Sequence, residues 1–172
     1  FATDMLASGL EAKERADMLV KYVDALLELY PSCKAVVFGP SHKFLSRESI
    51  ENHSDKAVTR FIYYAVNVRY FSIQGTEDMI VDSLGMSTLF LPDVQYHFHG
   101  MNPDEVVNHA YSVLYYIFEH DNPIGDGETI AGLENGDMSP DIQWKVQYED
   151  SLIQPVREVL DINMGEYASG TR

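Results

Sequence analysis

Two histidines, His97 and His99, are the residues whose type and spacing most directly suggest chemistry. They occupy alternate positions of the stretch 94–99, in which polar and apolar residues alternate, so both imidazoles are expected on one face of a strand. Two imidazoles on one face can bind a single metal ion. No HExxH motif, CxxC pair or third ligand at a diagnostic spacing accompanies them. The sequence therefore predicts no bound metal and no cofactor. A hydrolase that uses His97 and His99, with or without a metal ion, remains the alternative function.

Further oxygen and nitrogen donors follow in the chain. Residues 119–141 contain seven acidic residues and no Lys or Arg, and four glycines interrupt them, which predicts an acidic loop. This loop lacks the spacing of an EF-hand, so a solvated loop is favoured over a calcium site. The donors that could join the histidine pair are His109, His120, Asp126 and Glu128, and those that could hold calcium are Asp126, Glu128, Glu134 and Asp137.

Polar residues that alternate with apolar ones on three predicted strands form a second candidate site. If these strands are neighbours, Arg69 lies near the middle of a mixed polar surface and could hold a carboxylate or phosphate with two parallel hydrogen bonds. The alternatives are a hydrated sheet face, a face covered by another segment or a second subunit, and an Arg69 that pairs with a carboxylate of this chain. The candidate ligand- or partner-binding residues are Asn67, Arg69, His97, His99 and Lys145, with Gln147 on the same face.

Motifs of nucleophilic and nucleotide chemistry are absent from the sequence. Cys33 opens an apolar run, and no motif places a base beside it, so a buried structural cysteine is favoured over a catalytic thiol. The chain contains no GxSxG and no GxxxxGK[ST], and Gly125-Asp126-Gly127 lacks the third glycine of a dinucleotide site. These observations favour a protein that is not an enzyme, although catalytic groups can also assemble from distant positions.

A long amphipathic helix is expected to position the histidine strand. Asn102 can cap its first N–H groups, Pro103 suits its first position, and Asn122-Pro123 is expected to end it. The apolar stripe of this helix predicts packing on a sheet. The stripe consists of Val106, Val107, Ala110, Val113, Leu114, Ile117 and Phe118, and leaves out Asn108, His109, Ser112 and Glu119. Leu114 is expected to pack against Tyr96, Phe98, Val66 and Val68.

The other elements complete the predicted fold. Ser8 and Glu11 have the spacing of a capping box before a helix that ends at Pro31, and a short helix is expected from about Arg47. Residues 74–78 are predicted to form a hairpin loop, with a helix over 77–84 capped by Thr76 as the alternative, and 85–91 a helical turn. Strands are predicted at 33–38, 61–73, 79–82, 94–99, 142–148 and 156–162. The predicted fold class is an α/β (α+β) two-layer sandwich with a mixed, mostly antiparallel sheet and helices on one face, in one domain over residues 1–172 with a loose tail at 165–172.

The charge of the chain limits its partners. Twelve Lys and Arg against 27 Asp and Glu give a net charge of −15, which disfavours nucleic acid and anionic membranes as partners. The single cysteine, Cys33, cannot form an internal disulfide, and no membrane span or signal peptide is recognisable, so a cytoplasmic location is predicted. The chain begins at Phe1, close to the predicted first helix. We therefore expect it to be the C-terminal part of a longer protein.

Four stretches resemble a bacterial family of unknown function, domain of unknown function 4261. They are YYAVNVRYFSIQGTEDMIVDSLG (63–85), LPDVQYHFHGMNPDEV (91–106), YYIFEHDNPIGDGETI (115–130) and VLDINMGEYASG (159–170). The resemblance implies an α/β sandwich, a hairpin at 74–78 and a further N-terminal region. It implies no activity, cofactor or catalytic residue. The sequence is therefore interpreted as a non-catalytic interaction or ligand-binding module, whose partner is a protein, a small anionic ligand or a second copy of the chain.

Overall fold

The computed structural model describes residues 9–53 and 57–170, which divide into two compact units. The first unit comprises Phe1–Asn67 and Gly85–Leu91, and the second comprises Val68–Leu84 and Pro92–Arg172. Among the described residues of the first unit are three helices, α1 (Ala12–Leu29), α2 (Arg47–Glu51) and α3 (Ala57–Ala65), and two strands, β1 (Ala35–Phe38) and β2 (Lys43–Ser46). Residues Met86–Leu89 add the helical turn that the sequence predicts.

Two predictions for the first unit are wrong. Residues 61–65 were predicted as strand because aromatic and β-branched residues dominate them, but they form the second half of α3. Phe61, Ile62, Tyr64 and Ala65 are buried there, so packing overrides the local preference for a strand. Strand β2 was not predicted. It pairs with β1 in a two-stranded sheet in which Val37 and Phe44 lie opposite each other and are both exposed, so β1 is not the buried strand that was expected.

Helix α1 extends close to its predicted end but begins without the expected cap. Glu11 precedes its first residue and makes no hydrogen bond from its side chain to the helix. Ser8, which was predicted to cap it, lies outside the described residues. The predicted short helix is confirmed as α2, where Ser46 Oγ accepts a hydrogen bond from Ser49 N at 3.1 Å.

The second unit is built on a six-stranded sheet. Its strands are β3 (Asn67–Ser72), β4 (Met79–Leu84), β5 (Asp93–Phe98), β6 (Thr129–Glu134), β7 (Asp137–Asp150) and β8 (Glu158–Asn163). Their order across the sheet is β3-β4-β5-β8-β7-β6. β5 and β8 run parallel, whereas the pairs β4–β5, β6–β7 and β7–β8 are antiparallel. The fold is therefore α+β with a mixed, mostly antiparallel sheet, as the sequence predicts.

The long helix, α4 (Pro103–Glu119), packs on β4 and β5. Asn102 caps it as predicted, since its Oδ1 accepts a hydrogen bond from Asp104 N at 3.0 Å. Leu114, Tyr96 and Phe98 are fully buried, which agrees with the predicted packing of the stripe. Val66, which was also expected beside Leu114, lies outside β3 and groups with the first unit. The helix ends at Glu119, before the predicted Asn122-Pro123 stop, because Asp121 and Asn122 adopt left-handed backbone conformations.

Two segments that were predicted to be irregular have regular structure. Most of the predicted acidic loop is the hairpin of β6 and β7, whose turn residues Asn135 and Gly136 have φ of 53° and 86°. An Asn-Gly pair between strands is a strong hairpin signal that the loop interpretation ignored. The tail is held as far as residue 170, because His99 N donates to Tyr167 O and Ser169 N donates to His97 O, both at 2.9 Å.

Among the described helices, none combines the length and apolar character needed to cross a membrane.

Candidate functional site

Arg69, the centre of the predicted polar surface, is paired inside the second unit. Its Nε donates to Asp82 Oδ1 at 2.9 Å and its Nη2 donates to Asp82 Oδ2 at 2.5 Å. Its Nη1 donates to the carbonyl of Gln154 at 3.1 Å. The bidentate geometry expected for a bound anion is therefore satisfied by a carboxylate of the same chain, one of the alternatives left open by the sequence.

Asp82 belongs to a row of polar side chains that crosses the sheet, which we call the polar row. Backbone register places Asp82 opposite Gln95, Gln95 opposite Asp161, and Asp161 opposite Gln147. The first three are fully buried, and Gln95 Nε2 donates to Asp161 Oδ1 at 3.0 Å. Because side chains alternate along a strand, the polar row lies on the face opposite Tyr96 and α4. This face is not the open hydrated surface that the alternation suggested.

Residues 151–157, which we call the strap, cover the polar row. Leu152 N donates to Gln95 Oε1 at 2.7 Å. The Arg157 guanidinium donates to Asp82 Oδ2 at 2.9 Å, to Asp93 Oδ2 at 3.2 Å and to the carbonyl of Ser83. Asp82 therefore accepts hydrogen bonds from two arginines while it is fully buried, which is the arrangement that a buried carboxylate requires.

His97 and His99 lie close to Asp78 and Ser169 at the end of β5, apart from the polar row. His99 Nδ1 lies 2.9 Å from Ser169 Oγ, and this hydroxyl donates to Asp78 Oδ1 at 2.8 Å. His97 Nε2 lies 3.9 Å from Asp78 Oδ2. Neither Asp78 nor Ser169 was among the predicted site residues, because Asp78 was assigned to the hairpin loop at 74–78 and Ser169 to a loose tail.

The direction of these hydrogen bonds decides what this group can do. A serine hydroxyl has one proton, and that of Ser169 is donated to Asp78, so His99 must donate from Nδ1 to Ser169 Oγ. A serine nucleophile needs the opposite arrangement, in which the histidine accepts the hydroxyl proton. The arrangement fixes the tail on β5 and does not activate Ser169.

The other two predicted site residues lie apart from this group. Lys145 is exposed on β7, and β8 separates that strand from β5. Asn67 is the first residue of β3 but groups with the first unit, where its Nδ2 donates to Ser41 O at 3.1 Å. The second unit thus brings His97 and His99 together at Asp78 and Ser169, and pairs Arg69 separately with Asp82.

The donors proposed for a metal ion have other roles in the described structure. Asp126 Oδ1 accepts from Tyr148 N at 2.9 Å, Glu128 Oε2 from Gly125 N at 2.7 Å, and Glu134 Oε2 from Ser139 Oγ at 3.2 Å. Across residues 9–53 and 57–170, no three His, Cys, Asp or Glu side chains form a group that could hold a metal ion. Whether the protein binds a metal stays a prediction.

His109 was placed off the apolar stripe and considered as a metal donor, but it is buried in the core. Its Nε2 lies 2.8 Å from the carbonyl of Ala131 and must donate to it, so Nδ1 accepts the proton of Tyr96 Oη at 2.9 Å. The burial of His109 lowers its pKa, although the Ala131 carbonyl acts in the opposite direction. The imidazole also lies against the ring of Trp144, at 4.8 Å between centroids. It is a neutral core histidine in a fixed tautomer.

A cleft of about 680 Å³ opens near the start of α4 in the second unit. Its walls are the first turn of α4, the β6–β7 hairpin and the turn Gly165–Tyr167. Its apolar lining consists of the partly exposed Met101, Ile142 and Tyr167 over the buried Leu133, Trp144 and Met164, and its carboxylates come from Glu105, Glu134 and Glu166. None of the lining residues is Lys or Arg. Local patterns do not reveal this cleft because its walls are distant in the chain, although the Asn135-Gly136 turn signal locates one of them.

Comparison with known proteins gives a family and no function. Residues 82–163 match the model of the family described as domain of unknown function (DUF4261), which confirms the resemblance found in the sequence. The matched stretch includes Asp82, Gln95 and Arg157, begins after Arg69 and ends before Ser169. No curated protein and no solved structure matches the chain significantly.

Proposed function

We propose that this protein, whose residues 82–163 match the model of a family of unknown function, is a non-catalytic interaction module of the bacterial cytoplasm. Its binding surface is the cleft near the start of α4, and its partner is a segment of another protein that offers an apolar and a basic side chain. The observation that carries this proposal is the lining of the cleft, which combines an apolar floor with carboxylates and contains no basic residue.

The character of the partner follows from this lining. Met101, Ile142 and Tyr167 are partly exposed and contribute apolar surface for an aliphatic or aromatic side chain, above the buried Trp144. Glu134 and Glu166 are exposed at the same cleft and favour a cation over an anion. A small anionic ligand at the other predicted site would have to displace Asp82 from Arg69, because that guanidinium already binds the carboxylate with two hydrogen bonds.

The cytoplasmic location is part of the proposal. It is supported by the presence of a single cysteine, Cys33, whose Sγ donates to the carbonyl of Ala35 at 3.2 Å. A reducing compartment keeps such a thiol free.

Trp144 provides the test, because it is the only tryptophan of the chain and lines the cleft. We expect its fluorescence to change saturably when acetyl-Leu-Arg-amide is added, and not when acetyl-Leu-Glu-amide is added. The double variant Glu105→Lys/Glu166→Lys should lose the response. The matched control is Asp150→Lys/Glu158→Lys, which changes the charge equally at two exposed acids outside the cleft lining. If the two peptides gave equal responses, or if the control lost the response as well, the cleft would not be the binding surface.

A hydrolase that uses His97 and His99 is the second candidate, and the closeness of His99, Ser169 and Asp78 is the observation that favours it. The proton of Ser169 is directed to Asp78, which argues against it. We expect hydrolysis of p-nitrophenyl acetate, with and without added zinc, to be the same for the wild-type protein and for His97→Ala/His99→Ala. A rate that falls at least about a hundredfold in this variant would support general acid–base catalysis instead.

A further inference from the structure

Helix α1 has a second apolar face, opposite the one that it buries. Its inner face places Ala16, Val20, Val23 and Leu27 in the core of the first unit. On its outer face, Met18, Tyr22 and Leu29 are 36%, 47% and 71% exposed, and Ala25 between them is also exposed. The outer face of a helix in a globular protein is normally polar. This apolar row therefore indicates a contact with a partner.

The spacing of the row is that of a coiled-coil seam. Steps of four, three and four residues join Met18, Tyr22, Ala25 and Leu29, which is the alternation of a and d positions in a heptad. At roughly 100° per residue, the four side chains point within about 60° of one another. The row is thus narrow and straight enough to pack along a second helix.

Charges along one border of the row identify the partner. Glu14, Lys21 and Glu28 follow one another at intervals of seven residues, so they lie along the same side. The opposite border consists of Leu19 and Leu26, which are partly buried. In an antiparallel pair of such helices, the charged border of one copy faces the charged border of the other. Because the charges alternate along this border, opposite charges can pair across the interface. In a parallel arrangement, the charged border of one copy would face the leucines of the other.

We propose that α1 forms an antiparallel, two-fold symmetric interface between two copies of this chain. Met18 packs against Leu29 of the partner subunit, and Tyr22 packs against Ala25 of the partner subunit. Lys21 pairs with Glu28 of the partner subunit at each border. Within its own helix Lys21 contacts Asp17 at 2.6 Å, but its side chain is 72% exposed and can reach both acids. A seam of four side chains is small, so the dimer is weak and forms in a concentration-dependent manner.

Sedimentation equilibrium over a wide range of protein concentration tests this interface. We expect a monomer–dimer equilibrium for the wild-type chain, and Tyr22→Glu should weaken dimerisation by about tenfold or more because it places a charge at the centre of the seam. The matched control is Tyr116→Glu, since Tyr116 has almost the same exposure and lies on α4. A chain that is monomeric at every concentration, or a dimer that Tyr22→Glu leaves unchanged, would overturn the proposal.

Charge reversal tests the antiparallel arrangement. Lys21→Glu places acid against Glu28 of the partner subunit, and Glu28→Lys places Lys against Lys, so each single variant should weaken the dimer. The double variant Lys21→Glu/Glu28→Lys restores opposite charges at both borders and should recover the wild-type dissociation constant within about threefold. Circular dichroism of each variant shows that the fold is kept. If the double variant were weaker than either single variant, the two charges would not face each other.

Discussion

The middle strands of the six-stranded sheet, β4, β5 and β8, are buried on both faces, but by different kinds of interaction. On one face, α4 packs its apolar residues on β4 and β5, with Tyr96, Phe98 and Leu114 fully buried. On the other face, the strap binds the polar row through hydrogen bonds, such as those from Arg157 to Asp82 and from the Leu152 N–H to Gln95. Hydrophobic burial tolerates approximate positions, whereas buried charges require particular partners. Arg69, the centre of the binding surface predicted from the sequence, is therefore part of what holds the second face together.

Removal of the carboxylate at the centre of the polar face should have the largest effect. Asp82→Ala leaves Arg69 without its carboxylate and Arg157 with Asp93 as its one remaining acid of the site, and we expect the free energy of unfolding to fall by about 3–5 kcal/mol. Urea denaturation measures this, with Asp137→Ala as the control because Asp137 is an exposed acid at the β6–β7 turn. An unchanged denaturation midpoint for Asp82→Ala would show that the face does not depend on this ion pair.

Leu114→Ala tests the apolar face in the same way. The side chain is fully buried on α4, so its loss should lower the free energy of unfolding by about 2–5 kcal/mol through lost burial and a cavity. Tyr116→Ala on the same helix is the exposed control and should stay within about 0.5 kcal/mol of the wild-type value. A Leu114→Ala protein as stable as the control would contradict the packing of α4.

Arg69→Ala should be milder than Asp82→Ala, because Arg157 still donates to Asp82 at 2.9 Å. We expect a loss of about 1.5–3 kcal/mol in the free energy of unfolding, the usual range for hydrogen bonds to a charged group. The response to acetyl-Leu-Arg-amide should remain, since Arg69 does not line the cleft. If the Arg69→Ala protein were as stable as the wild type but no longer responded to the peptide, Arg69 would instead be a recognition residue.

The core histidine should cause the smallest effect, and only in acid. Burial lowers the pKa of His109 in the folded protein, so below the ordinary pKa of about 6.5 the unfolded chain binds more protons at this residue than the folded chain does. The stability contributed by the neutral imidazole is thus present above that pH and is lost as the pH falls towards the folded-state pKa. The slope from one such group is at most about 1.4 kcal/mol per pH unit. Thermal melting of wild type and His109→Gln between pH 7 and 5 compares the slopes, and equal slopes would show that His109 does not titrate as described.

The difference between the faces also explains what the sequence could predict. Capping by Asn102, the stripe around Leu114 and the 74–78 hairpin depend on residues close in the chain, and all three were predicted. The polar row depends on pairs such as Arg69 with Asp82 and Gln95 with Leu152, which are distant in sequence. Alternation showed that these side chains share a face but could not show what covers it. His109 was misplaced because polarity alone was used to judge its burial, and it lies beside Ala110 on the inner face of α4.

The most direct test of the proposed binding surface is a heteronuclear NMR titration of the second unit within the full chain. The indole Nε1–H signal of Trp144 reports on the cleft, and the ring signals of His97 and His99 report on the group formed with Asp78 and Ser169. On addition of acetyl-Leu-Arg-amide, we predict that the Trp144 signal shifts saturably while both histidine signals stay in place. Shifts of the histidine signals with an unchanged Trp144 signal would contradict the proposed function and move the binding surface to His97 and His99.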